Sequence, residues 1–270
     1  MPRQTEEETN LRQKRFRDLG EKMSQASCVV IGCGAIGRQV AMQLAVMGVA
    51  TLDLYDPGDI EEVNLGTQGW SPLDEGKPKA QVLAEEIEDV NPDVIVGTVI
   101  GTFKVSPTAQ NVADTYVFMC VDSMEARTEI FQAIKKVAVE GAPAHLFIDA
   151  RMTMEAARIL VVDNLAADEY YQSTLFADRD ALADGCTTKS TFYCASLAAS
   201  LMVTQFAKHL RGIETDRDMT IDLRSMELFP TTIDTAPTAV SHTCSDSSPP
   251  ALETAAVDAV LRSVTVCPMP

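Results

Sequence analysis

The sequence is short of positive charge and of long apolar runs. Its 22 Lys and Arg residues stand against 39 acidic residues, which gives a formal net charge of −17. Binding of nucleic acid without sequence preference needs a basic surface, so nucleic acid is not an expected partner. No apolar run reaches the roughly 18–20 residues that cross a bilayer. The first residues are polar, unlike a secretory signal, and we expect a cytoplasmic protein that does not bind a membrane.

Closely spaced metal ligands are also missing from the sequence. None of the seven cysteines forms a C-x-x-C pair, and the three histidines are far apart. Structural zinc sites usually draw on two closely spaced ligand pairs, so we expect no zinc. An odd number of cysteines in a long chain without an export signal argues against a disulfide framework.

Short apolar runs alternate with segments of helical spacing over the first half of the chain. The predicted strands are 27–31, 50–55, 93–99, 115–121 and 145–150, and the predicted helices are 36–48, 79–90 and 123–139. This alternation is typical of an α/β fold, with a Rossmann-like, mostly parallel sheet and helices on both faces. The strands are continuously apolar, which indicates a sheet that is covered on both sides.

The pattern changes after Ala150. A strand at 156–162 precedes an irregular acidic loop and a long helix at 189–210 that is rich in small residues. The segment 219–229 alternates between apolar and polar residues, which predicts one antiparallel strand. We therefore expect antiparallel strands to be added at the C-terminal side of the sheet.

A glycine-rich turn lies between the first predicted strand and the first helix. Glycines allow a tight turn and let backbone N–H groups approach a phosphate at the positive end of a helix. The turn residues that we expect to contact a nucleotide are Gly32, Gly34, Ala35, Ile36 and Gly37. Asp56 ends the next strand about 20 residues on, where a carboxylate can bind ribose hydroxyls. The turn alone favours an NAD(P) enzyme, the larger class with this motif.

The segments that follow the turn point to different chemistry. GCGAIG is followed in order by DPGDIEEVN, LGTQ, GKPKA and FMCVDSMEAR. Over roughly residues 27–212 this series resembles the adenylating core of the ThiF/MoeB/HesA family of ubiquitin-activating-like enzymes. The resemblance implies an ATP-dependent adenylyltransferase that uses Mg²⁺ and acts as a homodimer. Its substrate would be the C-terminal carboxylate of a small ubiquitin-like or sulfur-carrier protein.

The resemblance also assigns expected roles to single residues. Asp56 would hold the ribose, and Asn64 and Lys79 would contact the phosphates. Asp122 would hold Mg²⁺ through ATP or orient the phosphates, and Gln68 would support the loop that carries Asn64. Lys79 and Asp122 are accordingly the expected catalytic residues within this part of the chain.

Each of these residues also has a simpler interpretation. Lys79 begins a helix, where a lysine is usually solvated. Asp122 competes with Ser123 as the N-cap of the next helix, and Asn64 suits a turn. Arg127 is expected to form one side of an ion pair on the helix surface, outside the site.

Two positions depart from the pattern of the family. The family usually has a second aspartate where this chain has Gly58, with Asp59 beside it. The family's loop arginine is replaced by Thr67, which cannot imitate the charged fork that arginine offers to phosphate. Arg12 and Arg15 are candidates for its replacement, because an N-terminal arginine in this family often reaches into the site of the partner subunit.

Cys186 precedes the helix 189–210 and matches the acceptor cysteine of sulfur-carrier activators in this family. A thiol at a helix N-terminus has a lowered pKa, and its thiolate could attack an acyl adenylate. The alternative is a loop cysteine without a chemical role. Cys28, Cys33, Cys120 and Cys194 are expected to be packed residues.

We therefore divide the chain into an N-terminal helical arm (1–26), a ThiF-like ATP-binding adenylation domain (27–230) and a flexible C-terminal tail (231–270). The tail is rich in Thr, Ser, Pro and Ala. Two alternative functions stay open. One is a nucleotide-binding but catalytically weak scaffold, which Thr67 suggests, and the other is an NAD(P)-dependent oxidoreductase.

Overall fold

The computed structural model describes residues 18–176 and 191–230. The predictions for Arg12, Arg15, Cys186 and the tail 231–270 fall outside these ranges, as do residues 1–17 of the predicted helical arm.

A single eight-stranded sheet forms the centre of the fold, in the order β3-β2-β1-β4-β5-β6-β7-β8. The strands are β1 (Ser27–Ile31), β2 (Thr51–Asp56), β3 (Ile95–Ile100), β4 (Tyr116–Met119), β5 (Leu146–Thr153), β6 (Ala156–Val162), β7 (Asp218–Asp222) and β8 (Glu227–Pro230). Strands β1 to β5 pair in parallel, and β6 to β8 are added antiparallel. The predicted α/β fold with antiparallel strands at the C-terminal side is confirmed.

Helices pack on both faces of this sheet. They are α1 (Ala35–Met47), α2 (Lys79–Val90), α3 (Met124–Val139) and α4 (Phe192–Leu210). Side chains of α1, α2 and α4 share one core cluster with Val30 of β1. Side chains of α3 share a second cluster with Val29 and Ile31 of the same strand. Successive residues of a strand point to opposite faces, so the apolar run of β1 supplies both cores.

The segment 219–229 was predicted as one strand, and this was wrong. It folds into the hairpin of β7 and β8, with a turn at residues 223–226. Met226 adopts a positive φ of 58° in that turn. No glycine or proline stands at residues 223–226, so the alternating pattern continues across the turn without a visible break.

Strand β3 also differs from the prediction of a sheet covered throughout. It forms one edge of the sheet, and Ile95, Val99 and Ile100 are exposed. Its apolar sequence resembles that of a buried strand, while its place in the strand order leaves one side without a neighbour. Within the described residues, no helix is long and apolar enough to cross a membrane.

Candidate functional site

The glycine turn after β1 is packed tightly against its surroundings at two of its three glycines. A Cβ atom at Gly37 would lie 1.7 Å from the carbonyl oxygen of Gly32, and one at Gly32 would lie 2.7 Å from that of Cys120. Gly32 also has a φ of 93°. At Gly34, by contrast, the nearest atom to an added Cβ is the side-chain nitrogen of Gln68, at 3.9 Å. Gly32 and Gly37 therefore shape the turn, and Gly34 leaves room for a ligand to approach the backbone.

The N-terminus of α1 opens directly from this turn. Gly34 is its N-cap, and within the described residues no side chain caps the helix and no acidic residue stands in its first turn. The N–H groups of a first helical turn have no intrahelical acceptors, and the helix dipole favours an anion there. The turn and the helix start, including Ala35 and Ile36, therefore fit a phosphate group.

Asp56 links this turn to the loop after β2. Its Oδ2 accepts a hydrogen bond from the Cys33 backbone N–H at 2.6 Å, and its Oδ1 accepts one from the Gly58 N–H at 2.7 Å. The carboxylate is buried, at 8% exposure. The sequence did not reveal this bracing role. Each carboxylate oxygen can accept a second hydrogen bond, so the predicted contact to ribose remains chemically open.

Lys79 lies beside the same loop. Its backbone N–H donates to the Gly58 carbonyl at 3.0 Å. A Cβ atom at Gly58 would lie 3.6 Å from the Lys79 Nζ and 3.2 Å from the Asp56 Oδ1. Lys79 is thus half-buried with its ammonium beside Gly58, whereas Asp59 is exposed and its backbone forms a bridge with that of Pro78. Glycine at position 58 places no second carboxylate against this ammonium.

The loop that carries Asn64 and Gln68 is held by hydrogen bonds between its own side chains. Asn64 is buried, and its Oδ1 accepts from the Glu61 N–H at 3.3 Å in a capping box. Gln68 accepts from the Trp70 Nε1 at 3.0 Å, and its amide nitrogen faces Gly34. The Thr67 hydroxyl donates to the Val63 carbonyl at 3.1 Å, inside the same helical turn.

Arg38, which the sequence analysis did not single out, connects this loop to two helices. It follows the last glycine of the turn, and its guanidinium lies 4.8 Å from the centroid of the Trp70 ring. Its NH2 group also contacts both carboxylate oxygens of Glu86 in α2 at 2.8 Å. The only sequence signal was a basic residue directly after the glycine motif.

The start of α4 packs on the same loop. Gly69 has a φ of 77°, and a Cβ atom there would lie 2.6 Å from the Cε2 of Phe192. The first residue of α4 thus lies against the loop that faces the glycine turn. This contact places the chain that enters α4 at the carboxyl edge of the sheet.

Asp122 follows β4 at this edge. The Cys120 N–H donates to the Ile31 carbonyl at 2.8 Å, which holds the end of β4 beside the end of β1. The Ser123 Oγ accepts from the Ala126 N–H at 3.2 Å, so Ser123 is the N-cap of α3. Asp122 is exposed just before this cap. Asp122 therefore does not cap α3, and its carboxylate is available for the predicted role toward Mg²⁺.

Arg127 was predicted to form an ion pair on the helix surface, and this was wrong. Its side chain is only 2% exposed, and its Nε donates to the Asp149 Oδ1 at 2.8 Å. The Asp149 Oδ2 accepts from the Arg151 Nε at 2.8 Å and from the Tyr171 hydroxyl at 3.0 Å. Burial alone would raise the pKa of Asp149, but the two arginines hold it below its ordinary value. Arg127 points inward because a sheet residue 22 positions away supplies its partner.

The four cysteines that the structure describes are free thiols in packed surroundings. Burial raises the pKa of Cys194 to about 11 and that of Cys33 well above its ordinary value. These thiols are poor nucleophiles, as expected of packed residues. Within the described ranges, no group of three or more His, Cys, Asp or Glu side chains is placed to hold a metal ion.

An open cavity of about 670 Å³ lies at the opposite, amino edge of the sheet, near the ends of β6 and α4. Asp163, His209 and Arg217 are among its lining residues. None of the predicted site residues that the structure describes lines it. The glycine turn, Asp56 and Asp122 stand instead at or just after the carboxyl ends of β1, β2 and β4.

Comparison with known proteins shows which family this chain matches. A sequence model of the ThiF family matches residues 8–245. Human ubiquitin-like modifier-activating enzyme 7 is 32% identical over 124 residues, which are 44% of this chain and 12% of that protein. The sulfur carrier protein ThiS adenylyltransferase of Escherichia coli is 31% identical over 115 residues, 42% of this chain and 46% of that protein. The chain thus spans less than half the length of these relatives.

Solved structures show the same fold. A crystal structure of PaaA superposes with a TM-score of 0.64 at 18% identity, covering 84% of this chain and 73% of that one. Escherichia coli MccB gives a TM-score of 0.65 at 16% identity, covering 90% of this chain and 77% of that one. A structure of MccB with ATP gives a TM-score of 0.62 at 19% identity, covering 79% of this chain and 65% of that one.

Two glycine substitutions test how the turn is built. Gly37→Ala places a Cβ atom 1.7 Å from a backbone oxygen, and we expect it to lower the free energy of unfolding by more than about 3 kcal/mol. Gly34→Ala meets only an ordinary contact, with the Gln68 side-chain nitrogen at 3.9 Å, so we expect a stably folded protein. Its added methyl group should weaken ATP binding at least about tenfold, because a backbone N–H contact to phosphate is lost.

Urea unfolding and calorimetric titration with Mg·ATP measure the two effects. Equal stability of the two variants would contradict the packing described for Gly37. Unchanged ATP binding by Gly34→Ala would contradict the assignment of Gly34 to the phosphate site.

Proposed function

The chain belongs to the ThiF family, and from this membership we propose that it is an ATP-dependent adenylyltransferase. Its substrate would be the C-terminal carboxylate of a small ubiquitin-like or sulfur-carrier protein. The observation that carries the proposal is the meeting of Lys79 and Asp56 around Gly58, beside a glycine turn that is open at Gly34. A lysine at this place neutralises the negative charge of a polyphosphate, whereas hydride transfer to a nicotinamide does not require a lysine here.

The relatives support the choice of nucleotide and of substrate class. One is described as an activating enzyme for a ubiquitin-like modifier and another as an adenylyltransferase for a sulfur carrier protein. MccB, which has the same fold, has been solved with ATP. We therefore prefer ATP to NAD(P), which the glycine turn by itself had favoured.

In the proposed reaction a carboxylate oxygen of the acceptor attacks the α-phosphorus of ATP. A new oxygen–phosphorus bond forms, the bond from the α-phosphorus to its bridging oxygen breaks, and pyrophosphate leaves with the electron pair. The protein positions the reactants and stabilises negative charge on the phosphates. Bound Mg²⁺ would supply further neutralisation of that charge.

Each side chain has a role in this proposal. The backbone of the glycine turn binds phosphate, and Lys79 with Asn64 stabilises the leaving pyrophosphate. Asp56 binds the ribose hydroxyls through the lone pairs of its carboxylate oxygens that the two backbone hydrogen bonds do not use. Asp122 holds Mg²⁺ through ATP, since Mg²⁺ is commonly bound by one or two carboxylates together with substrate phosphates. Gln68 keeps the Asn64 loop against the turn.

Cys186 is the proposed acceptor of the activated acyl group. It precedes Phe192 by six residues in the sequence, and a chain of that length spans at most ~22 Å. Phe192 packs on Gly69, in the loop that faces the glycine turn, and this contact near Cys186 in the sequence supports the proposal. The thiolate would attack the acyl carbon and release AMP, leaving a thioester.

The assembly and the cellular location are proposals as well. We propose a homodimer in which Arg12 or Arg15 of one subunit supplies the charge that Thr67 lacks in the other. We also propose a cytoplasmic protein, which agrees with the free thiols in the described part of the chain. The boundaries at residues 26 and 230 remain our proposed limits of the adenylation domain.

One observation favours a second candidate function, a nucleotide-binding scaffold of weak catalytic power. The Thr67 hydroxyl donates to the Val63 carbonyl in its own turn and carries no charge for a phosphate. A chain without a replacement arginine would bind ATP and still activate its acceptor slowly. Exchange of pyrophosphate into ATP separates the two functions, because a scaffold binds ATP without catalysing the exchange.

Lys79→Ala tests the adenylation site. We expect it to reduce acceptor-dependent ATP–pyrophosphate exchange by at least about 100-fold, because a charge that stabilises the leaving phosphates is removed. The acceptor is first captured from cell extract on the immobilised protein, and its sequence is checked for a Gly-Gly carboxyl terminus.

Lys77→Ala is the matched control. Lys77 is exposed and bonds to Asp74 at 2.7 Å, so exchange should remain at the wild-type rate. Exchange by Lys79→Ala at that rate would remove Lys79 from the site. ATP binding by the wild type without exchange would favour the scaffold.

Cys186→Ala tests the thioester. With ATP and the captured acceptor, the wild-type protein should form a conjugate that a thiol reductant cleaves, and Cys186→Ala should form none because the accepting thiol is gone. Non-reducing electrophoresis and mass spectrometry measure the conjugate. Pyrophosphate exchange should persist in the variant, since adenylation precedes transfer. A conjugate of wild-type yield in Cys186→Ala would exclude the proposed transfer.

A further inference from the structure

A buried arginine contacts the backbone that carries Asp122. Arg127 lies in α3, and its NH2 group donates to the Val121 carbonyl at 2.5 Å and to the Ala150 carbonyl at 3.3 Å. Val121 directly precedes Asp122, and Ala150 belongs to β5. One guanidinium therefore joins the chain leaving β4 to the neighbouring strand, at the edge where the predicted site residues meet.

The guanidinium is itself fixed in place. Its Nε donates to Asp149 at 2.8 Å, and Asp149 is fully buried. The other oxygen of Asp149 is bound by Arg151 and by the Tyr171 hydroxyl. Arg151 in turn donates to the carbonyl and the hydroxyl of Thr174, at 2.8 and 2.9 Å. Each member of this cluster holds the next, so Arg127 has little freedom to reorient.

The position of the Val121 carbonyl determines where Asp122 begins. A peptide group is planar, so the carbonyl of Val121 and the nitrogen of Asp122 lie in one rigid unit. Strand β4 ends at Met119, and Asp122 lies three residues beyond its last residue. A hydrogen bond to the Val121 oxygen therefore sets the plane from which the exposed Asp122 side chain projects.

We propose that Arg127 is a positioning residue that holds the Val121–Asp122 peptide so that the Asp122 carboxylate faces the metal-bound phosphates. The inference rests on the proposed function, in which Asp122 holds Mg²⁺ through ATP. Arginine suits the task because its planar fork binds the Asp149 carboxylate and two backbone carbonyls together. A lysine at this position has one ammonium group and cannot reproduce that geometry.

Arg127→Lys tests the inference through the Mg²⁺ requirement of ATP binding. The measurement is ATP affinity at a series of free Mg²⁺ concentrations and in the presence of EDTA, so it needs no acceptor protein. Groups that orient a metal ligand commonly change metal affinity by 10–100-fold, and we expect the Mg²⁺ concentration for half-maximal binding to rise about tenfold or more. ATP binding in EDTA should stay as in the wild type.

Arg158→Lys is the control for loss of an arginine that pairs with a buried carboxylate. Arg158 is half-buried in β6, opposite Arg151 of β5, and pairs with Asp218 through two hydrogen bonds of 2.9 and 2.6 Å. The Arg158→Lys substitution should lower the melting temperature and leave the Mg²⁺ requirement of ATP binding unchanged. A rise of equal size in both variants, or no rise in Arg127→Lys, would overturn the positioning role.

Tyr171→Phe replaces Arg127→Lys if the latter does not fold. It removes one hydroxyl from Asp149 and keeps the ring, and we expect about a threefold rise in the Mg²⁺ requirement. An unchanged requirement in this variant contradicts the inference. Failure of the wild-type protein to bind ATP at any Mg²⁺ concentration would instead overturn the proposed function, and the inference with it.

Discussion

The Asp56 carboxylate binds two backbone N–H groups at once, that of Cys33 in the glycine turn at 2.6 Å and that of Gly58 at 2.7 Å. Through these two hydrogen bonds the turn after β1 and the loop after β2 become one rigid unit. Lys79 is held to this unit by its own backbone hydrogen bond to Gly58. The position of the ammonium relative to the open side of the turn therefore depends on Asp56. Loss of this carboxylate would leave the buried N–H of Cys33 and the partly buried N–H of Gly58 without their acceptor, which is costly.

The strand order explains why the other site residues gather at the same place. The order of the sheet reverses between β1 and β4, and open α/β sheets bind ligands outside the carboxyl ends of the strands at such a point. The turn follows β1, Lys79 is reached from β2, and Asp122 follows β4. The Asn64 loop closes one side of this crevice, and Arg38 and Phe192 hold that loop in place.

Local sequence predicted the parts of the fold and site that depend on neighbours along the chain. The glycine turn, the strands around it and the helix start at Lys79 were visible because each has its own spacing or turn chemistry. Arg127 was wrongly placed on the surface and Arg38 was missed, because their partners, Asp149 and Glu86, come from distant elements. The exposure of β3 is set by its place in the strand order, which its apolar sequence does not encode. These differences follow from tertiary pairing, which outweighs local pattern.

The central claim is that the crevice binds the triphosphate of ATP with Mg²⁺ rather than a nicotinamide dinucleotide. The most direct measurement is the melting temperature of the wild-type protein with saturating Mg·ATP and, separately, with NAD⁺ and NADH. At about 100 times the dissociation constant, a ligand adds about 2.7 kcal/mol of stability, which shifts the melting temperature of a domain of this size by roughly 5–10 °C. We predict this shift for Mg·ATP and none of that size for NAD⁺ or NADH. An equal or larger shift with NAD⁺ or NADH would contradict the account.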